Sequence, residues 1–252
     1  MYNVFAALVI LCTLLVLGGA QTGLSFSCPQ GTQGRECTCS ETEVDCSSVG
    51  LSQVPTQLGT NVQRIDASYN SISSVDWSSF ATMTNLEELY LQMNSIFFVD
   101  ISYFHGQNFH TLHIGGNIVH SLLGDTFACM NNLETLRLND LGLSSLPDGV
   151  FGTTSNLQLI DLSNNMMSSL PSGVFAGLES LRSLNLAGNP LICDCDLLWL
   201  KVYVNEMLAA GGALVEAEAT FCSAQVQGMD NPTFDSITVF DFCKWMLIFV
   251  WS

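Results

Sequence analysis

The residues best equipped for chemistry are the cysteines and histidines. The chain has ten cysteines in 252 residues. Cys28, Cys37, Cys39 and Cys46 crowd together near the start, and Cys193, Cys195, Cys222 and Cys243 gather near the end; Cys12 and Cys129 fall outside these groups. Four cysteines can hold zinc as thiolates or close two disulfides. Residues 1–20, MYNVFAALVILCTLLVLGGA, are apolar and end in small residues before Gln21-Thr22, which reads as a secretory signal cleaved after Ala20. Exported thiols oxidise, which favours disulfides over zinc. The four histidines, His105, His110, His113 and His120, fall on different faces by register, and His110 with His113 supplies only two of the three or four ligands a zinc site needs. No serine stands in a Gly-x-Ser-x-Gly elbow. Hence no catalytic residue, metal or cofactor is expected. The remaining candidate chemistry is recognition: Tyr69, Tyr90, His113 and Arg137 are large residues able to hydrogen bond while they pack, the types that dominate binding hot spots.

What positions them is a repeat. Leu133–Asn189 reads LETLRLNDLGLSSLPDGVFGTTSN, LQLIDLSNNMMSSLPSGVFAGLES and LRSLNLAGN. Leu133, Leu157 and Leu181 coincide at a step of 24 residues, as do Leu136, Ile160 and Leu184. A fixed period in this range marks a stacked solenoid. Six strand cores follow, from Val62-Ile65-Ala67 to Leu181-Leu184-Leu186, with phenylalanines at 80, 104, 127, 151 and 175 as packing and asparagines at 70, 94, 117, 165 and 189 as a ladder. A buried amide both donates and accepts, so it can satisfy backbone groups at the bend between coils. The 23-residue step from Asn94 to Asn117 places a deletion between Phe104 and Phe109. Leu141 interrupts the ladder, and asparagine in its place is expected to stabilise the protein.

With its LxxLxLxxN pattern, the chain resembles extracellular leucine-rich repeat proteins of the 24-residue class, with the nearest likeness to variable lymphocyte receptors and their invertebrate relatives. The resemblance implies an α/β horseshoe with a parallel concave sheet between two disulfide-bonded caps. Residues 28–61 look like the N-terminal cysteine cap, 62–188 are the repeats, and 189–243, opening NPLICDCDLLWL, resemble the C-terminal cap. It further implies the pairings Cys28–Cys39, Cys37–Cys46, Cys193–Cys222 and Cys195–Cys243. Asp196 is set to cap a helix from about 197 to 208, ended by Gly211-Gly212, with Trp199, Leu200, Val204 and Leu208 covering the last coil. The tail 244–252, KWMLIFVWS, is too short to span a membrane and could pack, touch a membrane or be processed.

Period-2 alternation turns Arg64, Asp66, Glu88, Tyr90, Gln92, His113, Arg137, Asn139 and Asp161 out of the concave sheet beside Tyr69, and these ten residues are the candidate ligand-binding set. Gly115-Gly116 is expected to leave a dip beside His113. The formal charge of −17, six basic against 23 acidic residues, excludes nucleic acid as a partner and disfavours polyanionic glycans. The mixed-charge face suits a polar protein surface or a hydroxyl-rich glycan. The resemblance implies a secreted or cell-surface protein that recognises microbial or other foreign surfaces. Matrix or cell-surface adhesion and signalling is the alternative.

Overall fold

A computed structural model describes residues 28–32, 35–55, 58–101, 108–217, 220, 222 and 233. The expected signal segment, the tail, Phe104, most of the stretch between Phe104 and Phe109 expected to hold the deletion, and Cys243 lie outside the described residues. Each repeat contributes one short strand whose middle residue is buried and whose neighbours face outward: β3 (Arg64–Asp66), β4 (Glu88–Tyr90), β5 (Thr111–His113), β6 (Thr135–Arg137), β7 (Leu159–Asp161) and β8 (Ser183–Asn185). The caps extend this six-stranded core at both ends. β1 (Thr38–Cys39) pairs antiparallel with β2 (Glu43–Asp45), β2 pairs parallel with β3, and β9 (Ala213–Val215) pairs parallel with β8. Among the described residues the result is one nine-stranded sheet in chain order. The cap strands thus occupy the hydrogen-bonding edges that the end repeats would otherwise expose.

Inside, the repeat columns form the core. Ile65, Leu89, Leu112, Leu136, Ile160 and Leu184 are fully buried. Phe127 stacks on Phe151 with centroids 6.0 Å apart, Phe151 on Phe175 at 6.1 Å, and Phe175 continues onto Tyr203 of the C-terminal helix at 5.5 Å. The phenylalanine column is packing, in offset-stacked geometry.

The asparagines act as the ladder. Asn165 Oδ1 accepts from the N–H groups of Leu141 and Leu143 at 3.1 and 3.0 Å, and its Nδ2 donates to the carbonyls of Leu138 and Leu162 at 2.8 and 2.9 Å. Asn94 and Asn117 likewise bridge the coil before them: Asn94 takes the Ile72 N–H and Asn117 the Ile96 N–H. At Leu141 the ladder breaks, and the backbone is rewired around the gap. In other coils the residue after the asparagine donates to the preceding coil, as Ile118 N–H does to the Ile96 carbonyl (2.9 Å) and Met166 N–H to Leu143 (2.7 Å). Here the direction reverses. The His120 N–H donates to the Leu141 carbonyl at 3.1 Å, and the Val119 carbonyl is taken by the Ser121 N–H two residues on. That tight turn puts His120 at φ +52°, and Gly142, at φ +73°, has no room for a Cβ because the His120 ring lies against it.

Disulfides Cys28–Cys39, Cys37–Cys46 and Cys193–Cys222 form as the resemblance implied. Cys195 and Cys129 are disulfide-bonded as well. The C-terminal cap differs in detail from expectation. Its helix α1 (Leu198–Ala209) follows a 3-10 turn over Cys195–Leu197, and the capping carboxylate is Asp194, which accepts the Asp196 N–H at 3.0 Å. A tight turn needs its cap two residues earlier than a bare α-helix would. Leu200, Val204 and Met207 are buried against the last coil, while Leu208 faces solvent; the turn rotates the helix so that position 207, not 208, points inward.

Candidate ligand-binding face

Parallel register brings one residue per strand into a line down the concave sheet: Asp45, Asp66, Tyr90, His113, Arg137, Asp161 and Asn185. At its centre, the Arg64 guanidinium lies over the Tyr90 ring at 4.1 Å and pairs with Glu88 at 2.5 Å. The Tyr90 hydroxyl donates to the same Glu88 oxygen atom at 3.0 Å. Burial, and then that carboxylate, push the Tyr90 phenol above its ordinary value, so it stays protonated. Tyr90 meets the His113 ring edge-on at 6.4 Å. Burial lowers His113 to about 4, with the nearby Arg137 charge adding to the effect, so the imidazole is neutral at physiological pH. Arg137 in turn lies 3.5 Å from Asp161. The arrangement is a connected patch of aromatic, amide and guanidinium surface with few loose ends. It offers hydrogen bonds and stacking, with no activated nucleophile.

Two of the acids have a second duty. Asp66 Oδ1 accepts the Ser68 N–H at 3.0 Å, and Asp161 Oδ1 accepts the Ser163 N–H at 3.1 Å; Asn185 does the same for Ala187. An Asx turn at the strand end is thus reused along the face. It leaves only the second carboxylate oxygen for an arginine or a ligand. Asn139 Nδ2 donates to Asp140 at 2.8 Å, and the Gln92 side-chain oxygen is buried with no hydrogen-bond partner among the described residues.

Two expectations shift. Tyr69 does not join Tyr90 and His113: it sits past the end of β3 at φ +56°, which swings its exposed side chain to the edge of the horseshoe. The Gly115-Gly116 dip is filled, because a Cβ on Gly115 would collide with the Asn139 side chain and one on Gly116 with the Met93 sulfur. The Arg182 guanidinium donates to the carbonyls of Glu179 and Leu181 at 3.0 Å, at the entry to β8. His110 Nε2 lies 3.8 Å from Glu87, and no cluster of metal-binding side chains occurs among the described residues.

Comparison with known proteins agrees with this geometry. Residues 131–191 match the leucine rich repeat model and residues 35–58 the leucine rich repeat N-terminal domain model. The chain carries leucine-rich repeats. It is 28% identical over 120 residues to human leucine-rich repeats and immunoglobulin-like domains protein 1, and 29% over 110 residues to human protein 3 of that name. It is 32% identical over 110 residues to zebrafish (Danio rerio) leucine-rich repeat-containing protein 3. The alignments cover 48%, 44% and 41% of this chain in that order, but only 11%, 10% and 40% of the relatives. The repeat chain therefore spans a minor part of each relative's length. Among the described residues no helix is long and apolar enough to cross a membrane.

Proposed function

We propose that this leucine-rich repeat protein works outside the cell as a recognition module, binding a protein or glycan on its concave sheet around Arg64, Tyr90, His113 and Arg137. The observation that carries the reading is the Arg64–Tyr90–Glu88 cluster. A large aromatic is held rigid and half-buried at the middle of an open strand face, so little side-chain entropy is lost when a ligand packs on it. Disulfides in both caps suit an oxidising compartment. Recognition of microbial or other foreign surfaces, the role implied by the likeness to variable lymphocyte receptors, is the finer form of the proposal. The match to the leucine rich repeat model and to leucine-rich repeat relatives supports binding over catalysis.

The alternative is adhesion or signalling through a host protein, favoured by the similarity to human proteins that pair leucine-rich repeats with immunoglobulin-like domains. Pull-down on whole bacteria, isolated cell-wall glycans and host matrix, side by side, separates the two. Capture by microbial material that is lost in the Tyr90→Ala/Arg137→Ala variant supports foreign-surface recognition on this face. Capture by host matrix alone selects the adhesion reading. Capture unaffected by the double variant refutes the concave site.

A further inference from the structure

Asp148–Gly149 is the single place in the sequence where an aspartate or asparagine is followed by glycine. In such a pair the glycine nitrogen can attack the side-chain carbon of the residue before it, because glycine has no Cβ to crowd the five-membered ring that forms. The attack is intramolecular, so proximity alone drives it. It is suppressed wherever the fold commits either reacting group. Asn70–Ser71 and Asn94–Ser95, which also place a small residue after the amide, show how. The Ser71 N–H donates to the Leu51 carbonyl and the Ser95 N–H to the Ile72 carbonyl, both at 2.9 Å. The Asn70 side-chain oxygen accepts the N–H groups of Val49, Gly50 and Leu51, and the Asn94 Nδ2 donates to the carbonyls of Ala67 and Leu91.

Neither device holds Asp148 and Gly149. Both residues are exposed, and among the described residues neither the Asp148 carboxylate nor the Gly149 N–H has a hydrogen-bond partner. The turn around them is regular all the same. The Val150 N–H donates to the Pro147 carbonyl at 3.4 Å and the Gly152 N–H to the Gly149 carbonyl at 2.8 Å. The next coil repeats the pattern, from Val174 to Pro171 at 3.1 Å and from Ala176 to Gly173 at 2.8 Å. Gly149 and Gly173 are both left-handed, at φ +70° and +77°. Ser172 stands there in the place of Asp148, so the turn itself does not require a carboxylate.

We infer that Asp148 is a self-modification site, where the folded chain converts aspartate to isoaspartate. The Gly149 nitrogen bonds to the Asp148 Cγ, the Cγ–OH bond breaks, and water leaves with the amide proton. Water then adds to the main-chain carbonyl carbon of the cyclic imide and breaks that carbon's bond to nitrogen, so the chain now runs through Cγ and the α-carboxylate is released. Nothing is oxidised or reduced, and the product has the mass of the starting chain. The change inserts one methylene into the backbone just ahead of Val150 and Phe151, which are buried. Phe151 is the middle ring of the stack, 6.0 Å from Phe127 and 6.1 Å from Phe175, so displacing it disturbs the packing of two neighbouring coils at once. The same coil already carries the ladder gap at Leu141. Ageing therefore loosens the solenoid at this coil first. The inference is independent of the concave-face reading.

The test incubates the purified chain at neutral pH and body temperature, then maps its peptides by mass spectrometry with electron-transfer fragmentation, which separates isoaspartate from aspartate at equal mass. Isoaspartate should accumulate at position 148 at least about tenfold faster than at positions 70 and 94, the factor that one retained hydrogen bond gives. A chain unfolded in urea, where every pair is released, should react at all three positions. Asp148→Ser, which copies Ser172 of the next coil, should show no product at 148 and should melt as the fresh chain does. The modified fraction, separated by chromatography, should melt at least about 2 °C below the fresh chain, whereas aged Asp148→Ser should not change. Absence of isoaspartate at 148 in the folded chain, while the unfolded chain forms it, overturns the proposal. So do equal rates at 70, 94 and 148 in the folded chain, and so does a modified fraction that melts with the fresh chain.

Discussion

The guanidinium of Arg64 lies 4.1 Å above the centre of the Tyr90 ring while its Nη1 pairs with the carboxylate that also accepts the Tyr90 hydroxyl. One arginine therefore holds the central aromatic of the concave face both by its ring and, through Glu88, by its hydroxyl. Such a stack contributes about 0.5–1 kcal/mol when partly exposed, and the half-exposed ion pair adds little in water. Arg64→Ala should lower the melting temperature by about 2–4 °C, measured by calorimetry. Arg64→Lys should recover only part of it, since the ammonium lacks the planar fork that stacks and pairs together. An unchanged melting temperature in Arg64→Ala would mean that solvent replaces the stack at no cost.

His113 predicts a pH dependence. Burial among Tyr90, Arg137 and Asn139 lowers its folded pKa to about 4, below the ordinary 6.5. Between those values the unfolded chain holds a proton that the folded chain does not, so stability falls as pH drops from about 6.5 to 4. His113→Gln should flatten that part of the stability curve. Because the Arg137 charge is the second cause of the shift, Arg137→Gln should raise the His113 pKa, read from its imidazole resonances by NMR. A His113 titration that ignores Arg137 would contradict the contact.

Leu141 carries a prediction that reverses with the structure. By the repeat alone, Leu141→Asn restores the ladder and stabilises the protein. In the rewired coil the His120 N–H uses the Leu141 carbonyl, the Val119 carbonyl is taken by Ser121, and Leu141 itself is fully buried, so a polar amide there displaces apolar packing in a coil whose backbone has already settled into its own bonding pattern. The single substitution should therefore cost about 1–3 kcal/mol by denaturant unfolding. A gain would show that the backbone relaxes back to the regular pattern easily.

Asn165 is the opposite case. Its amide satisfies two N–H groups and two buried carbonyls across the Leu141 coil, so Asn165→Ala leaves several backbone groups buried and unpaired. A loss of about 3 kcal/mol or more is expected, beyond that of an ordinary surface asparagine. Hydrogen exchange should show the loss first at Leu141 and Leu143; exchange unchanged at those amides would refute the ladder's role.

Reduction separates the caps from the repeats. The disulfides close short loops, with sequence separations of 11, 9 and 29 residues, and they lie at the two ends of the solenoid. Solenoid coils interact mainly with their neighbours, so unfolding should begin at the reduced ends and spread inward. Amide exchange after reduction should rise in β1, β2 and β9 before β5 and β6. Simultaneous loss along the whole sheet would contradict this order.

The repeat was legible in the sequence because it is one-dimensional: every 24 residues the same types meet the same neighbours, so Leu136, Ile160 and Leu184 report their burial directly. The phenylalanine stack and the asparagine ladder were readable for that reason, and so was the gap at Leu141. The rewiring was not, because the direction of the His120 bond depends on how two coils share carbonyls. The concave set was read by alternation, which holds inside a strand and fails at its end. Arg64, Glu88, Tyr90, His113 and Arg137 stand where counting put them, whereas Tyr69 is turned to the edge by a left-handed backbone that no side-chain pattern announces.

The sequence by itself determined the solenoid, its period and the residue types along its open face, since each follows from local repetition and side-chain polarity. The tertiary structure decided which of those residues are committed. Asp66 and Asp161 spend one oxygen atom on strand-end turns, the two glycines make room for Asn139 and Met93, and cap strands cover the sheet edges. These are competitions among neighbouring coils for the same donors, acceptors and space, and they are settled only when the coils are stacked.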